Sequence, residues 1–302
     1  MSVKKLRILT EASGSLTSAY LIESIKEAGH ICIASDIDDR CFGRYLTNDF
    51  ILMPRAGDVN IWDKIEAELL NNEIDLVIPS LDETLLGWAE RKEKFSKIGI
   101  DIILSTPTSV AICQDKWLTY EFFKTNNIPT PDTSLSQIHP LVKPRLGRGG
   151  VGVLVTQDPV DMTGQISQEL VSGVEYTVDV FCDNKANPVY IVPRRRINVK
   201  DGKSTAGIVE YNETISNWVS VICEKLSFVG PINIQCFLLS DGSVKFIEIN
   251  PRIAGGMALG FASTENWITL IVSNLINGEP IDPKVIQYGL EMRRYYAEIF
   301  IS

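Results

Sequence analysis

The first third of the chain alternates between strand-like and helix-like segments, and this alternation restricts the fold more than any other feature of the sequence. The predicted strands lie at 6–12, 30–36 and 74–80, and the predicted helices at 15–29 and 61–72. Strands that alternate with helices form parallel β-α-β units. The pattern therefore predicts an α/β domain with a parallel sheet over residues 1–107.

A dinucleotide-binding Rossmann domain is the first alternative for this region. Asp36 or Asp38 follows the second predicted strand, where a ribose-binding acid would lie. The first turn, EASGSLTS, contains one glycine, Gly14, whereas the dinucleotide fingerprint has three. The missing glycines argue against a nicotinamide-dependent dehydrogenase.

Asp82 and Glu83 are candidate substrate-binding residues in the same domain. They follow the third predicted strand, and α/β sheets bind ligands beyond the carboxyl ends of their strands. Either carboxylate could recognise a substrate amino group. The alternative is that both are acidic residues in the first turn of a helix, where they interact favourably with the helix dipole.

The acidic charge and the residue composition exclude several classes of partner. The 302 residues carry a net charge of −9, and the only block of basic residues is 194–196, so a nucleic acid is not expected to bind. The sequence has no apolar run of about 18 residues and no signal-peptide core, which predicts no membrane partner and a cytoplasmic location. The six cysteines and two histidines show no metal-ligand or CxxC spacing, so neither zinc nor a disulfide framework is predicted.

The sequence pattern changes after residue 107. A helix is predicted at 115–127, followed by a proline-rich link and by two strands that flank a glycine-rich turn. Hairpin-like segments begin at residue 168, and a helix at 265–278 and a closing strand near 293–300 complete the pattern. We predict a small lobe over 108–170 and a C-terminal α+β lobe over 171–302.

The segment KFIEINPR, at 245–252, carries polar side chains at the end of an apolar strand. Asp-Gly at 241–242 predicts a two-residue hairpin turn that pairs Ser240 with Ser243. This register places Gln235 opposite Glu248, with Asn233 opposite Asn250.

The facing side chains of this hairpin are all oxygen donors, about 5 Å apart across the strands. Mg²⁺ prefers such donors, completed by substrate phosphates. A solvated polar sheet face is the alternative. Residues two apart in a strand share a face, so Val244 and Phe246 are predicted beside Glu248 and Asn250, which favours a covered face.

The turn LGRGGVG provides a second candidate site. Its glycines are Gly147, Gly149, Gly150 and Gly152, and Lys143 and Arg145 precede them. Backbone N–H groups in such a turn can close over a phosphate chain. The turn matches neither the P-loop nor the kinase pattern, so a simple glycine-rich hairpin is an equal alternative.

Taken together, these segments resemble the ATP-grasp superfamily, and in particular the branch of the carbamoyl-phosphate synthase large subunit and the single-chain carboxylate–amine ligases that act on amino acids. The resemblance covers nearly the whole chain. It implies an ATP-grasp fold preceded by a Rossmann-like domain. It also implies ATP and Mg²⁺ as cofactors, with Mn²⁺ as a substitute.

The resemblance assigns roles to individual residues. Lys116 in QDKW and Lys143 in LVKP match the two nucleotide-binding cations, and Glu175 matches the ribose-binding acid. The full set of implied ATP-binding residues is Lys116, Lys143, Arg145, Gly147, Gly149, Gly150, Glu169, Leu170, Val171 and Glu175. The implied Mg²⁺ ligands are Gln235, Glu248 and Asn250, the implied catalytic residues are Arg252 and Arg196 with Arg194 as the alternative to Arg196, and Gly255 and Gly256 are expected to approach the substrate.

The implied activity is that of a ligase. A substrate carboxylate attacks the γ-phosphate of ATP, and an amine captures the acylphosphate, with release of ADP and phosphate. We expect small-molecule carboxylate and amine substrates, one of them an amino acid or a similar molecule, and a homodimer is an option.

Two alternatives to this ligase stay open. The first is carbamoyl-phosphate-synthase-like phosphorylation of bicarbonate or carbamate; the synthase subunit carries two such halves and this chain one, which disfavours it. The second is a non-catalytic ATP-binding sensor, which would usually have lost a lysine or metal ligand that this sequence retains.

Overall fold

The computed structural model describes residues 4–15, 18–200 and 203–301, and these form two compact units. The first unit contains the described residues up to Leu104, together with Asn266–Pro280 and the described residues from Tyr295 onward. The second unit contains Ser105–Glu265 and Ile281–Arg294. The sequence-based division placed 266–280 in the C-terminal lobe, whereas the structure groups this segment with the first unit.

The first unit is built on a five-stranded parallel sheet, which confirms the predicted fold class of this region. Its strands are β1 (Arg7–Thr10), β2 (Ile31–Asp36), β3 (Asp49–Leu52), β4 (Leu76–Ile78) and β5 (Asp101–Ile102), in the order β3-β2-β1-β4-β5. Its first three helices are α1 (Ser18–Glu27), α2 (Ile61–Asn71) and α3 (Asp82–Ser96). A short 3₁₀ helix spans Phe42–Leu46. The central strands β1 and β4 are almost entirely buried, because helices cover parallel sheets on both faces.

Asp36 holds the first turn of this sheet in place. Its carboxylate accepts a hydrogen bond from the backbone N–H of Gly14 at 2.8 Å. A second carboxylate oxygen accepts from the N–H of Asp38 at 3.1 Å. The acid at the end of β2 therefore has a structural partner within the protein.

The second unit contains a small four-stranded sheet and a larger six-stranded sheet, both antiparallel. It begins with α4 (Pro107–Gln114) and α5 (Lys116–Thr125). The small sheet has the order β6-β9-β7-β8 and consists of β6 (Thr133–Ser134), β7 (Leu141–Pro144), β8 (Leu154–Val155) and β9 (Gln165–Gln168). The large sheet has the order β14-β13-β10-β11-β12-β15 and consists of β10 (Val174–Cys182), β11 (Pro188–Lys200), β12 (Lys203–Val209), β13 (Gly230–Leu238), β14 (Val244–Asn250) and β15 (Glu291–Arg293). This arrangement confirms the mixed α/β class predicted for the later part of the chain.

The core of the second unit lies against one face of the large sheet. Helix α6 (Glu213–Leu226) buries Ile215, Val219 and Ile222 there. Val178 and Ile234 of the sheet belong to the same apolar cluster, and both are fully buried. The opposite face of the sheet is therefore the one that carries polar side chains.

The remaining elements follow the large sheet along the chain. Helix α7 spans Ala258–Ala262, and α8 spans Trp267–Leu270 and continues as a π-helical segment at Ile271–Ile276. None of the helices in the described part of the chain combines the length and the apolar character that a membrane span needs.

The turn between β13 and β14 differs from the prediction. The N–H of Leu239 donates to the carbonyl of Ser243 at 2.8 Å, so these two residues close a three-residue loop. Gly242 lies in this loop with a φ of 82°, which a residue without a side chain adopts at no steric cost. The predicted pairing of Ser240 with Ser243 is therefore wrong.

A β-bulge in the same hairpin restores the predicted register. Gln235 pairs with Glu248 but Cys236 pairs with Phe246, which leaves Ile247 without a partner. A bulge shifts the pairing by one residue and so reverses which face the later side chains occupy. The pairing of Gln235 with Glu248 is as predicted because the longer turn and the bulge cancel.

The bulge also overturns the predicted side-chain faces of β14. Val244 and Phe246 lie in the apolar cluster with Cys236 and do not share the face of Glu248. Ile247, predicted on the other face, lines the same cavity as Glu248. The argument that Val244 and Phe246 cover the polar face was therefore wrong.

The closing strand is shorter and lies earlier than predicted. β15 covers Glu291–Arg293 and pairs with β12 at three positions. Beyond it, Tyr295 and Tyr296 are 87% and 88% exposed. The N–H of Arg294 still donates to the carbonyl of Thr205 at 3.0 Å, but β15 ends at Arg293, so the predicted strand at 293–300 does not form.

Candidate nucleotide-binding site

A cavity of about 260 Å³ opens between the small and large sheets of the second unit. Residues from both sheets, from α5 and from the glycine-rich turn line it. The sequence-predicted residues at its wall are Lys116, Lys143, Gly147, Gly149, Gly150, Glu169, Leu170, Val171, Glu175, Arg196, Gln235 and Glu248. Further lining residues that the sequence analysis did not single out are Arg148, Gln168, Phe237 and Ile247.

Lys116 is the first residue of α5, and its position is fixed by the cap of that helix. The Asp115 carboxylate accepts hydrogen bonds from the N–H groups of Trp117 and Leu118 at 2.9 and 3.3 Å. The Lys116 ammonium donates to the carbonyl of Gly147 at 2.7 Å. This contact connects the helix to the glycine-rich turn.

Lys143 lies on β7 and is buried, with 8% of its surface exposed. Burial lowers the pKa of its ammonium to about 8. The negative charge of Glu248 opposes this shift, whereas the positive charge of Lys116 adds to it. A buried cation of this kind, with a carboxylate and a second lysine in its field, is suited to bind an anion.

The glycine-rich turn joins β7 to β8 and depends on backbone conformations that favour glycine. Gly149 and Gly150 have φ values of 67° and 74°. A side chain at Gly152 would place its Cβ 2.8 Å from Cγ of Pro144. The turn therefore has a shape that larger residues would disturb, and backbone N–H groups in glycine-rich turns of this kind can bind an anion.

Arg145 does not line the cavity, although it was predicted to bind ATP. Its Nε donates to Oδ1 of Asp115 at 2.7 Å, and its terminal nitrogen lies 2.7 Å from Oδ2. Its backbone carbonyl also accepts from the N–H of Lys116 at 3.1 Å. Arg145 thus secures the start of the helix that carries Lys116.

The segment 169–171 joins β9 to β10 and lines the cavity. The Glu169 carboxylate binds Lys245 with both oxygens at 2.6 Å, and this contact lowers the pKa of Glu169. Both carboxylate oxygens of Glu169 are therefore engaged, and its backbone N–H donates to the carbonyl of Asp132 at 2.8 Å.

Glu175, the predicted ribose-binding acid, forms an ion pair with Arg196 inside the cavity. The Arg196 side chain is 9% exposed and the Glu175 side chain 24%. A ligand hydroxyl that binds Glu175 would share this carboxylate with Arg196.

Two of the three predicted metal ligands, Gln235 on β13 and Glu248 on β14, line the cavity, whereas Asn250 lies two residues beyond Glu248 and is not part of the cavity wall. Gln235 and Glu248 face each other across the hairpin, and within the described part of the chain the side chain of Gln235 makes no hydrogen bond. Asn250, which is 9% exposed, donates from Nδ2 to Oε1 of Glu248 at 3.0 Å. Its amide must turn over to offer an oxygen to a cation.

This donor set fits a hard cation only in part. In the described ranges, no group of three histidine, cysteine, aspartate or glutamate side chains could hold a metal. One carboxylate and two amides supply too little charge to bind Mg²⁺ unaided. The set therefore fits Mg²⁺ that arrives with phosphate oxygens as further ligands.

Arg194 does not line the cavity, and this corrects its place as the alternative to Arg196. It is 2% exposed and binds Asp179, which is fully buried, with a contact of 2.8 Å between Nη2 and Oδ1. Asn233 donates to the same carboxylate oxygen at 2.7 Å. A side chain on Gly256 would place its Cβ 2.7 Å from Nη1 of Arg194, so this glycine packs against the buried guanidinium.

Arg252 and Gly255 lie in the loop after β14 and are not part of the cavity wall. Arg252 donates to the carbonyl of Ile253 at 3.3 Å, and its other terminal nitrogen is 3.5 Å from Oδ1 of Asn250. Gly255 is exposed. Their predicted contacts with substrate stay predictions.

Asp82 and Glu83 belong to the first unit, where they form the first turn of α3. The start of this helix is capped by Glu11, a buried residue that the sequence analysis did not consider. Glu11 accepts from the N–H of Ser80 at 3.0 Å and from Nε1 of Trp88 at 2.8 Å. Burial raises the pKa of Glu11, which these hydrogen bonds oppose.

Comparison with known families identifies the two regions of the chain. A family model described as an ATP-grasp domain matches residues 113–256, which include the cavity and its hairpin. A second model, described as a PylC-like N-terminal domain, matches residues 9–103. The chain therefore contains an ATP-grasp domain at residues 113–256.

Curated relatives of this ATP-grasp chain include large chains of carbamoyl phosphate synthase. That of Thermoplasma acidophilum is 23% identical over 257 residues, which cover 72% of this chain and 24% of the relative. That of Mycobacterium sp. strain JLS is 25% identical over 207 residues, which cover 56% and 18%. The chain thus spans about a quarter or less of the length of these relatives.

Solved structures share the ATP-grasp fold at low sequence identity. An L-amino acid ligase from Bacillus licheniformis superposes with a TM-score of 0.70 at 17% identity, covering 90% of this chain and 74% of the other. The N5-carboxyaminoimidazole ribonucleotide synthetase from Thermotoga maritima gives 0.67 at 20% identity, with coverages of 93% and 78%. The biotin carboxylase domain of a 2-oxoglutarate carboxylase from Hydrogenobacter thermophilus, in complex with MgADP and bicarbonate, gives 0.74 at 14%, with 96% and 74%.

Proposed function

We propose that this ATP-grasp chain is an ATP- and Mg²⁺-dependent ligase. It activates a substrate carboxylate as an acylphosphate and joins it to an amine, with release of ADP and phosphate. An amino acid or an amino-acid-like molecule is the proposed class of one substrate.

The observation that carries this proposal is the set of charges around one cavity. Lys116 and Lys143 lie at the wall that also contains the glycine-rich turn, and Glu248 and Gln235 lie at the same wall. Phosphoryl transfer needs positioned cations that neutralise the phosphate oxygens, and it needs no protein nucleophile. The cavity supplies such cations beside a place for a metal.

Each part of the cavity has a role in this proposal. Lys116, Lys143 and the backbone of the glycine-rich turn hold the phosphates, and the backbone of 169–171 and the Glu175 carboxylate hold the nucleoside. Gln235, Glu248 and Asn250 hold Mg²⁺, which neutralises phosphate charge when bound. Arg196 forms an ion pair with Glu175, the proposed ribose-binding acid. We propose that Arg196 supplies a further cation to the transferred phosphate.

The residues proposed for the substrates lie outside the cavity wall. Arg252, Gly255 and Gly256 follow the metal-binding strand in the chain, and we propose that their loop receives the carboxylate. Asp82 and Glu83 are proposed to recognise an amino group. The names of two structures with this fold, an L-amino acid ligase and an N5-carboxyaminoimidazole ribonucleotide synthetase, support a carboxylate–amine reaction.

A second candidate is phosphorylation of bicarbonate or carbamate, as in carbamoyl phosphate synthase. The curated relatives favour it, since all those named above are large chains of that enzyme. This activity needs the same cavity and differs only in the molecule that attacks ATP.

The test is release of ADP and phosphate from ATP and Mg²⁺ in the presence of pooled amino acids and small carboxylates, with bicarbonate as a separate arm. Glu248→Gln removes the proposed metal carboxylate and should abolish stimulated release. Glu224→Gln is the matched control, because Glu224 is an exposed residue of α6 with a side chain 76% accessible.

The outcomes separate the candidates. Stimulation by an amino-acid pool supports the ligase, and division of that pool identifies the substrate. Stimulation by bicarbonate alone favours the synthase-like reaction. ATP binding without release in any arm favours a sensor, and absence of ATP binding rejects all three. Sedimentation of the native chain tests the proposed homodimer.

A further inference from the structure

A buried chain of hydrogen bonds runs from Lys143 into the small sheet. The Lys143 ammonium donates to Oε1 of Gln168 at 2.8 Å. Nε2 of Gln168 donates to the hydroxyl of Thr133 at 2.9 Å, and that hydroxyl donates to the carbonyl of Pro131 at 3.0 Å. Each of the three hydrogen bonds in this chain joins one donor to one acceptor, and the Gln168 amide presents its oxygen to Lys143 and its nitrogen to Thr133.

The strands of the small sheet hold this chain of side chains together. Gln168 on β9 lies opposite Thr133 on β6 and opposite Leu141 on β7. The three polar members are each between 6% and 8% exposed. A buried polar group that loses its partner is costly, so each member restrains the next.

An ammonium has three N–H donors and no acceptor. One donor of Lys143 is fixed by Gln168, which itself lines the cavity. The two other N–H groups of Lys143 therefore point in a restricted set of directions. A lysine without such a partner would move freely on its four-carbon stem.

Charged groups on several elements face this region of the cavity. Glu248 of β14 and Lys116 of α5 act directly on the Lys143 charge. The other charged groups at the wall or bound to it are Arg148 of the glycine-rich turn, the Glu175–Arg196 pair of the large sheet, and Glu169 with its partner Lys245. Gln168 is the neutral group that contacts Lys143 itself.

We propose that Gln168 is the positioning residue for Lys143 and directs its two other N–H groups at the phosphates of ATP. This inference rests on the proposed function and names a residue that the family resemblance did not provide. Thr133 acts one step further away, because it fixes the amide of Gln168 in the orientation that presents the oxygen to Lys143.

The experiment measures the dissociation constant of ATP in the presence of Mg²⁺ for the full chain. Gln168→Leu removes the acceptor and should weaken ATP binding about tenfold. Thr133→Val should weaken it less, and Thr133→Ser, which keeps the hydroxyl, should restore native affinity. Gln165→Leu is the control, since Gln165 lies on the same strand and its Oε1 makes no hydrogen bond in the described residues.

The pH dependence of binding distinguishes positioning from general loss of structure. Gln168→Glu places a carboxylate against the ammonium and should move the decline of ATP affinity to higher pH. Gln168→Leu should move it to lower pH, because the charged form loses its acceptor. A purely structural role would not shift the two profiles in opposite directions.

Native affinity and an unchanged pH profile in Gln168→Leu would overturn the inference, as would equal losses in Thr133→Val and Thr133→Ser. If Gln168→Leu fails to fold, the Thr133 pair decides. If the native chain binds ATP but releases no ADP with any substrate pool, the proposed function is wrong. The ATP-binding measurements on the Gln168 and Thr133 variants still test the role of Gln168 in that case. Absence of ATP binding by the native chain overturns both.

Discussion

Two arginine–carboxylate pairs lie on the large sheet, with their arginines two residues apart on β11, and they differ in their surroundings. Arg194 and Asp179 are 2% and 0% exposed, and Asn233 completes their hydrogen bonds. Arg196 and Glu175 are 9% and 24% exposed and line the cavity. The first pair has no access to a ligand, whereas the second can exchange its internal partner for one.

Arg195, which lies between Arg194 and Arg196, can be compared with both. Its side chain points away from its two neighbours and pairs with Glu210, at 39% and 30% exposure. Three consecutive arginines thus occupy a buried, a half-exposed and a cavity position. Residue type and spacing alone therefore do not separate a fully buried arginine from one at a cavity wall, whereas the burial of both partners does.

The largest expected effect comes from breaking the buried pair. Arg194→Met leaves the Asp179 carboxylate buried without its cation, which should lower the free energy of unfolding by about 3–5 kcal/mol. Denaturant unfolding measures this loss. Arg195→Met is the control and should cost less than about 1 kcal/mol, since that pair is partly solvated; equal losses in the two variants would contradict the comparison.

A smaller loss is expected from Gly256→Ala. The added Cβ would lie 2.7 Å from Nη1 and 2.8 Å from Nη2 of Arg194, so the guanidinium or the loop must move. Overpacking of this kind should cost about 1–3 kcal/mol. The same unfolding measurement applies, and the loss should shrink in an Arg194→Met background, where the clash is relieved.

The cavity pair should affect binding more than stability. Arg196→Met should weaken ATP binding in the presence of Mg²⁺ about tenfold, or about 1.4 kcal/mol, because one cation is lost from the proposed phosphate site. Its unfolding free energy should change less than that of Arg194→Met. Arg195→Met should leave the affinity unchanged, and an equal decrease there would show that net charge alone is responsible.

The smallest expected effect is the change of ATP affinity between pH 7 and pH 8, where Lys143 is only partly deprotonated. The pKa of Lys143 is lowered to about 8 by burial, so the ammonium is charged below this value and loses its proton above it. Affinity should be highest below about pH 8 and should decline as the pH rises, because the neutral amine no longer attracts phosphate. Guanidinium groups stay charged in this range, so Arg196→Met should show a decline at the same pH; a displaced decline would assign the titration to another group.

The sequence was sufficient to predict the parallel sheet of the first unit, because β-α-β alternation leaves few other arrangements. It also brought Gln235 and Glu248 together, but through a turn and a side-chain pattern that were both wrong. A three-residue loop and a bulge at Ile247 each shift the register by one residue. The amino-acid sequence of this hairpin contains no feature that predicts the bulge.

Other members of the cavity could not be predicted for a different reason. Gln168 is one of three consecutive polar residues at the end of β9, and its contacts depend on which residues lie opposite it on two neighbouring strands. Glu11 caps a helix that begins about seventy residues later in the chain, as its contact with Ser80 shows. Such long-range partners follow from the sheet order and not from local sequence patterns.

The measurement that tests the central claim most directly is a calorimetric titration of the native chain and of Lys143→Met with ATP and Mg²⁺. Lys143 is the buried cation of the cavity, and the account predicts saturable binding at one site by the native chain and a loss of at least about tenfold in the variant. No binding by the native chain, or equal binding by the two proteins, would contradict the placement of the nucleotide in this cavity.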